Sequence, residues 1–275
     1  MILYLIQLLV SLLGSIWLYF ITDSIPFQYQ IPLLIIIFIV INFIVFLLFI
    51  LLYAIIVILN SETSGAKPWK RKILVEYCKY VFLYLFRVRM EVFGKENLPK
   101  NNNFVIYSNH SEFADSMYLI IALEKYPIAF LSKKTLFKVF LVRHALRFMG
   151  GIGISRKADR SVTESVQLAI ETVKGGQPVV IYPEGTRAHS NNMSEFKAGS
   201  FKVAMRGKLP IVPVCMYDMH KMPYKLRLKP VTIQLGILPT IPYEDYQTLD
   251  SSGVAKLVKD MIQSQIDRFD EDKLL

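Results

Sequence analysis

The stretch "FVIYSNHSEFADSMYLIIALE", Phe104 to Glu124, decides the fold of this chain. It opens with a short apolar run, Phe104 to Tyr107, passes through a polar junction, and continues as a helical pattern from about Glu112 to Glu124. A short apolar run that is bounded by turn formers is typical of a strand buried on both faces. The stretch therefore predicts one strand, turn and helix of an α/β domain.

The chain on either side repeats this alternation of strands and helices. Val88 to Phe93 alternates apolar and charged residues, as a half-exposed strand does. Ser161 with Glu164 three residues later is a capping box that predicts a helix to Val173. Further strands are predicted at 178–183, 211–217 and 231–235, and further helices around 136–148 and 254–262. We expect a single α/β domain over residues 88–275, with a mostly buried mixed or parallel sheet flanked by helices.

Two long uncharged runs precede this domain. Ile2 to Ile21 and Ile31 to Leu59 carry no charged residue, and at about 1.5 Å per residue each is long enough to cross a hydrocarbon core. Residues 1–60 are therefore predicted to form a membrane-anchoring helical hairpin. Lys67, Lys70, Arg71 and Lys72 follow the second run, which predicts that everything after it lies on the cytoplasmic side. A re-entrant hairpin that dips into one leaflet remains an alternative.

Residues 61–87 read as a polar linker and an amphipathic helix. Lys72, Glu76 and Lys79 fall at helical spacing, with apolar residues on the other side. Such a helix fits the surface of a membrane, and it fits the core of the domain about equally well.

Charge is distributed unevenly along the chain. All 32 Lys and Arg follow residue 66, while the acids Asp23 and Glu62 precede it, so the later part is more positive than the +10 of the whole chain. For a domain attached to a membrane, this surplus predicts anionic lipids as partners rather than nucleic acid. Cys78 and Cys215 stand far apart, which predicts neither a disulfide framework nor a metal cluster.

His110 and Asp115 lie in the polar junction of the opening stretch. Positions five apart point away from each other on a continuous helix, so the two side chains can meet only if His110 precedes the helix. Asn109 and Ser111 are turn and cap formers that allow this. A carboxylate on one ring nitrogen leaves the other nitrogen free to take a proton, so we predict that His110 is a general base oriented by Asp115.

The stretch "YPEGTR", Tyr182 to Arg187, also follows a predicted strand. Gly185 permits a tight turn, and the guanidinium of Arg187 matches a phosphate or a carboxylate. A phosphate carries about −1.5 to −2 charges, so we expect further cations beside it. The sequence offers these candidates: Lys133, Lys134, Arg156, Lys197 and Lys202.

Four motifs between about Val88 and Tyr217 together resemble the 1-acylglycerol-3-phosphate acyltransferases, a family of glycerolipid acyltransferases. The first, N-H-x4-D, is Asn109, His110 and Asp115, and the third, E-G-T-R, is Glu184 to Arg187. The second is similar to "GGIGISR" from Gly150 to Arg156, and the fourth to "PIVP" from Pro210 to Pro213. The apolar N-terminal hairpin fits the same family.

The resemblance implies a reaction and a set of roles. His110 would be the base and Asp115 its orienter, acting on the free hydroxyl of lysophosphatidic acid. Substrate binding would fall to the following residues: Glu184, Gly185, Thr186, Arg187 and Arg156, with Lys133 or Lys134 near the phosphate. The acyl donor would be acyl-CoA or acyl carrier protein, as a substrate, and no cofactor or metal is implied.

The chain also departs from the family pattern at two places. Glu112 stands where the family often has Ser, and Phe140, Arg143 and His144 stand where it often has a Pro-x-x-Gly-Trp pattern. Other lysophospholipid or glycerol phosphate acceptors remain open. So do a membrane phosphohydrolase and a non-enzymatic module that binds anionic lipid.

Overall fold

The structure is a computed structural model that describes residues 2–21, 26–155, 160–221 and 230–272. The chain forms two compact units, Met1–Asn60 and Ser61–Leu275.

The first unit is a pair of helices, α1 (Ile2–Ile21) and α2 (Phe27–Leu59). Both are long and apolar enough to cross a membrane, by length and composition. Polar side chains meet between them: Gln7 Nε2 donates to the side-chain oxygen of Asn42 at 2.7 Å, and Asn42 Nδ2 donates to Ser11 Oγ at 3.3 Å. These bonds satisfy polar groups that would otherwise face an apolar environment.

The second unit contains a seven-stranded sheet in the order β1-β7-β6-β2-β5-β3-β4. Five neighbouring strands, from β6 to β4, run parallel, while β7 is antiparallel to β6 and parallel to β1. The strands are β1 (Val88–Phe93), β2 (Val105–Ser108), β3 (Ala129–Lys133), β4 (Ile152–Ile154), β5 (Val179–Ile181), β6 (Ile211–Tyr217) and β7 (Val231–Ile237). The predicted α/β domain with a mixed, mostly parallel sheet is confirmed.

Helices cover both faces of the sheet. They are α3 (Pro68–Cys78), α4 (Asp115–Ala122), α5 (Phe140–Phe148), α6 (Arg160–Lys174), α7 (Lys202–Gly207), α8 (Tyr243–Tyr246) and α9 (Ser251–Asp272). Successive residues of a strand point to opposite faces, and in β2 Val105 packs with α6 and α9 while Ile106 packs with α3 and α4. Two apolar cores result, one on each side of the sheet.

The amphipathic segment before β1 packs on the second of these cores. α3 continues as a π-helical stretch, Lys79–Leu85, and Val75, Cys78 and Tyr80 are buried. This packing favours the core-helix interpretation of residues 61–87.

The parallel strands place the functional candidates at one edge. The carboxyl ends of β2, β5, β3 and β4 meet there because these strands share one direction. Ligands of open α/β sheets bind at this edge.

Candidate functional site

The turn after β2 is fixed by Asn109. Its Nδ2 donates to the carbonyl oxygen of Met216 at 2.8 Å, and its Oδ1 accepts from the amide of Met216 at 2.7 Å. Both groups are buried, so the side chain completes the hydrogen bonding of β6 where β2 ends. This contact holds the residue before His110 in one position.

Asp115 begins α4 and is fully buried. Its Oδ2 accepts three hydrogen bonds, from Nδ1 of His110 at 2.9 Å and from the amides of Ser111 at 2.7 Å and Glu112 at 2.9 Å. One carboxylate oxygen therefore ties the imidazole to the first two amides of the turn. Its Oδ1 is buried and accepts no hydrogen bond from the residues that the structure describes.

The contact with Asp115 selects the tautomer of His110. The ring nitrogen that meets the carboxylate, Nδ1, is the donor, so the neutral ring has its lone pair on Nε2. Nε2 makes no hydrogen bond within the described ranges, and the side chain is 18% exposed. The ring stacks on Tyr182 with centroids 4.0 Å apart and an interplanar angle of 15°. His110 therefore has the geometry of a base whose free nitrogen is accessible.

Tyr182 supports the ring from the end of β5. Its hydroxyl lies 3.2 Å from Ser116 Oγ, and burial, together with the charge of Asp115, raises its pKa well above the ordinary 10.0. The phenol stays neutral, so it supports the imidazole by stacking and does not compete as a base. The sequence prediction missed this residue, although its place directly after the strand was a signal.

Glu184 joins the two loops of the site. It is 3% exposed, its Oε1 accepts from the amide of His110 at 2.7 Å, and its Oε2 accepts from the amide of Ser194 at 2.8 Å. Burial raises the pKa of this carboxyl, and the two amide hydrogen bonds oppose that shift only in part. The contacts are those of a positioning residue. A direct role in binding the acceptor stays a prediction.

The loop after Glu184 presents the groups that can meet a ligand. Gly185 has a φ of +71°, a left-handed conformation that favours glycine, and a Cβ there would lie 2.6 Å from Nζ of Lys197. Thr186 and Arg187 are exposed, and Arg187 forms no ion pair with the residues that the structure describes. This loop therefore leaves a guanidinium and a hydroxyl available for an anionic substrate.

Lys202, another predicted cation, is exposed at the start of α7, and three more follow β3 and β4. Lys133 ends β3, Lys134 comes next, and both are exposed. Arg156 lies outside the described residues, two positions after β4 ends at Ile154. The strand order places the ends of β3 and β5 side by side.

A second set of contacts closes the two loops on each other. The amides of Ala188 and His189 donate to the carbonyl oxygens of His110 and Ser111 at 2.9 and 3.2 Å. Glu112, which departs from the family pattern, lies 2.8 Å from Nδ1 of His189 through its Oε1. The sequence could not show this pairing because the two residues are far apart along the chain.

Comparison with known proteins gives consistent results. A model of the family described as Acyltransferase matches residues 89–217. A 1-acyl-sn-glycerol-3-phosphate acyltransferase of Borreliella burgdorferi is 26% identical over 71% of this chain and 78% of its own length. The human 1-acyl-sn-glycerol-3-phosphate acyltransferase alpha is 29% identical over 64% of this chain and 63% of its own length.

A plant relative and a solved structure extend the comparison. The chloroplastic 1-acyl-sn-glycerol-3-phosphate acyltransferase LPAT1 of Arabidopsis thaliana is 30% identical over 56% of this chain. The chain spans 44% of that relative's length, and so less than two thirds of both the plant and the human protein.

The crystal structure of the 1-acyl-sn-glycerophosphate acyltransferase PlsC of Thermotoga maritima matches with a TM-score of 0.64 and 22% identity, over 80% of this chain and 89% of that one. It has the same fold. The chain is therefore similar to acyltransferases over residues 89–217, and to 1-acyl-sn-glycerol-3-phosphate acyltransferases over a longer part of its length.

Proposed function

We propose that the protein transfers an acyl chain from an acyl thioester to the sn-2 hydroxyl of 1-acylglycerol-3-phosphate and so makes phosphatidic acid. One observation carries the proposal: Nε2 of His110 is free while Asp115 holds Nδ1, at the sheet edge where Arg187 is exposed. The names of the similar proteins support this choice of reaction.

The chemistry follows from the position of the proton on His110. Nε2 takes the proton of the acceptor hydroxyl while the hydroxyl oxygen attacks the thioester carbonyl carbon. The carboxylate of Asp115 stabilises the imidazolium that forms. When the carbon–sulfur bond breaks, the imidazolium returns its proton to the departing thiolate. A thiol has a pKa of about 8.5, so it leaves without a covalent nucleophile, and we expect no cofactor.

Positive charge gives the acceptor its orientation. Arg187, with Thr186, is available on one loop, and Lys133 and Lys134 follow the neighbouring strand. We assign these groups, together with Arg156, to the phosphate and the glycerol. Glu184 and Gly185 then act by shaping the loop that carries Arg187.

We infer that the protein is an integral membrane protein with its catalytic domain on the cytoplasmic side. The length and the apolar composition of α1 and α2 support the first part. The four cations that follow α2, Lys67, Lys70, Arg71 and Lys72, support the second.

The experiment that tests the function identifies the product lipid. Full-length protein in phospholipid vesicles is given a lysophosphatidic acid with either acyl-CoA or acylated carrier protein, and lipids are analysed by mass spectrometry. We expect phosphatidic acid and one free thiol for each acyl group transferred. A monoacylglycerol, which lacks the phosphate, is the matched control acceptor and should react poorly.

Two outcomes would contradict the proposal. Release of inorganic phosphate that stops on addition of a chelator would favour a metal-dependent phosphohydrolase. Salt-sensitive lipid binding without turnover of any lysophospholipid would favour a binding module.

A further inference from the structure

The segment 133–141, which follows β3, exposes an unusual run of apolar side chains. Leu136 is 42% exposed, Val139 53%, Phe140 55% and Leu141 60%. Single exposed apolar residues are common on protein surfaces, but several within six positions mark a surface that meets another apolar phase or partner. We refer to residues 133–141 as the β3 segment.

The β3 segment also lies in a region without negative charge. No Asp or Glu occurs between Lys125 and Asp159. Lys133, Lys134 and Lys138 are exposed, and none of them forms an ion pair with the described part of the chain. This combination of cations and apolar side chains complements a bilayer surface, where anionic head groups cover apolar acyl chains.

The topology places this segment beside the catalytic residues. It begins where β3 ends, and β3 is two positions from β2 in the sheet, which corresponds to about 10 Å at the usual spacing between strands. Phe113, on the loop after β2 and three residues from His110, is 61% exposed. The exposed apolar groups and His110 therefore share one edge of the domain.

We infer that the β3 segment docks on the surface of an anionic phospholipid bilayer, with Leu136, Val139, Phe140 and Leu141 in the interface and Lys138 against the head groups. This inference deepens the proposed function, on which it rests. An acceptor with one long acyl chain lies in the bilayer, and docking brings the edge that carries His110 to the plane where its hydroxyl lies. An acidic carrier protein would bind the cations but would leave most of this apolar surface without a matching phase.

The test places a fluorescent label on the segment in the full-length protein. Cys78 and Cys215 are buried and burial raises the pKa of each thiol, so a maleimide dye should react at an added exposed cysteine. Leu141→Cys on α5 is the probe. Leu249→Cys is the matched control: Leu249 is 38% exposed and follows α8, which packs at the opposite edge of the sheet, where Tyr246 donates to the carbonyl oxygen of Leu209 before β6.

Both variants are placed in vesicles that contain phosphatidylglycerol and a spin-labelled lipid. We expect the label at position 141 to shift its emission to the blue and to be quenched strongly, while the label at position 249 keeps the spectrum of an aqueous site. Equal quenching at both positions would overturn the inference. So would a label at position 141 that responds to acyl carrier protein and not to lipid.

The charge is tested separately with Lys138→Gln in the Leu141→Cys background. A lysine near an anionic surface shifts a docking equilibrium by about fivefold, so quenching should fall accordingly and should need more phosphatidylglycerol to recover. Lys100→Gln is the control, because Lys100 is exposed but precedes β2, at the opposite end of that strand. An effect of equal size in both would contradict a role for Lys138.

None of these measurements requires turnover. If the vesicle-bound protein is quenched at position 141 but makes no phosphatidic acid, the result contradicts the proposed function and supports the docking inference. If the protein makes phosphatidic acid without quenching at position 141, the result supports the proposed function and contradicts the docking inference.

Discussion

Asp115 and Glu184 are two buried carboxylates with different partners. Asp115 accepts from a histidine ring and two amides on one oxygen, whereas Glu184 accepts one amide on each oxygen. A carboxylate that accepts from the imidazole can stabilise the charge that forms on it, while one that accepts from backbone amides fixes the backbone. Substituting Asp115 should therefore affect mainly kcat, whereas substituting Glu184 should affect mainly stability.

Asp115→Asn should lower kcat by about 10²-fold or more, because a neutral amide no longer stabilises the imidazolium of His110. The amide oxygen can still accept from Ser111 and Glu112, so the turn should keep its conformation. The measurement is kcat at saturating acceptor, together with circular dichroism of the purified variant. A kcat within about twofold of wild type would argue against an electrostatic role for Asp115.

Glu184→Gln should change the pH dependence of stability. The folded-state pKa of Glu184 lies above its ordinary 4.5, so the folded protein holds a proton that the unfolded chain has already released. Wild-type stability is then lost as pH rises through the window between those two values. The Gln variant lacks this loss, so its Tm minus the wild-type Tm should grow with pH across the window. A difference that stays flat or shrinks would contradict the raised pKa.

At this scale the sequence located the His110 and Asp115 pair but not its supports. The pair was predictable because a turn at the end of a strand allows two side chains five positions apart to meet, and because the other three motifs accompany it. Tyr182 acts through stacking, and Ser194 acts through its backbone amide. Neither interaction leaves a pattern in the sequence, and Glu112 meets His189 only through the folding of two distant loops.

At the scale of elements, β2 and β6 depend on one side chain. Asn109→Ala would leave the buried amide and carbonyl of Met216 without partners, at a cost of about 1–3 kcal/mol for each group. We expect a large loss of unfolding free energy by chemical denaturation, and lower activity because His110 is the next residue. Asn103→Ala, at an exposed position before the same strand, is the control and should change stability little. Equal effects at both positions would refute the role given to Asn109.

Sequence patterns predicted some strands and helices and missed others. β1 and β6 were predicted with their observed bounds, because a half-exposed strand alternates and a buried strand is continuously apolar. β3 and β4 were missed: β4 has three residues with a central glycine, and β3 ends in Ser and Lys. The helix predicted at 136–148 begins as a 3-10 turn, Lys134–Lys138, before α5. α6 includes Arg160 and Ser161, the predicted cap, as helical residues.

At the scale of the whole molecule, the chain joins an apolar helical pair to an α/β unit. If α1 and α2 span or enter the hydrocarbon core, the protein should stay in the membrane pellet after alkaline carbonate or high salt. Salt screens attractions between charges, but it does not remove two long apolar helices from hydrocarbon. Immunoblots of pellet and supernatant make the measurement. Release by carbonate would show that the attachment is peripheral.

The central claim is that Nε2 of His110 takes the proton of the acceptor hydroxyl. Its most direct test is the rate of acyl transfer to lysophosphatidic acid by His110→Ala in vesicles, beside His144→Ala, whose native ring pairs with Ser61 instead of a carboxylate. We predict that His110→Ala loses at least about 10²-fold in kcat while it stays folded and membrane-bound, and that His144→Ala keeps most of its activity. A His110→Ala protein that transfers acyl chains at a rate close to wild type would contradict the claim.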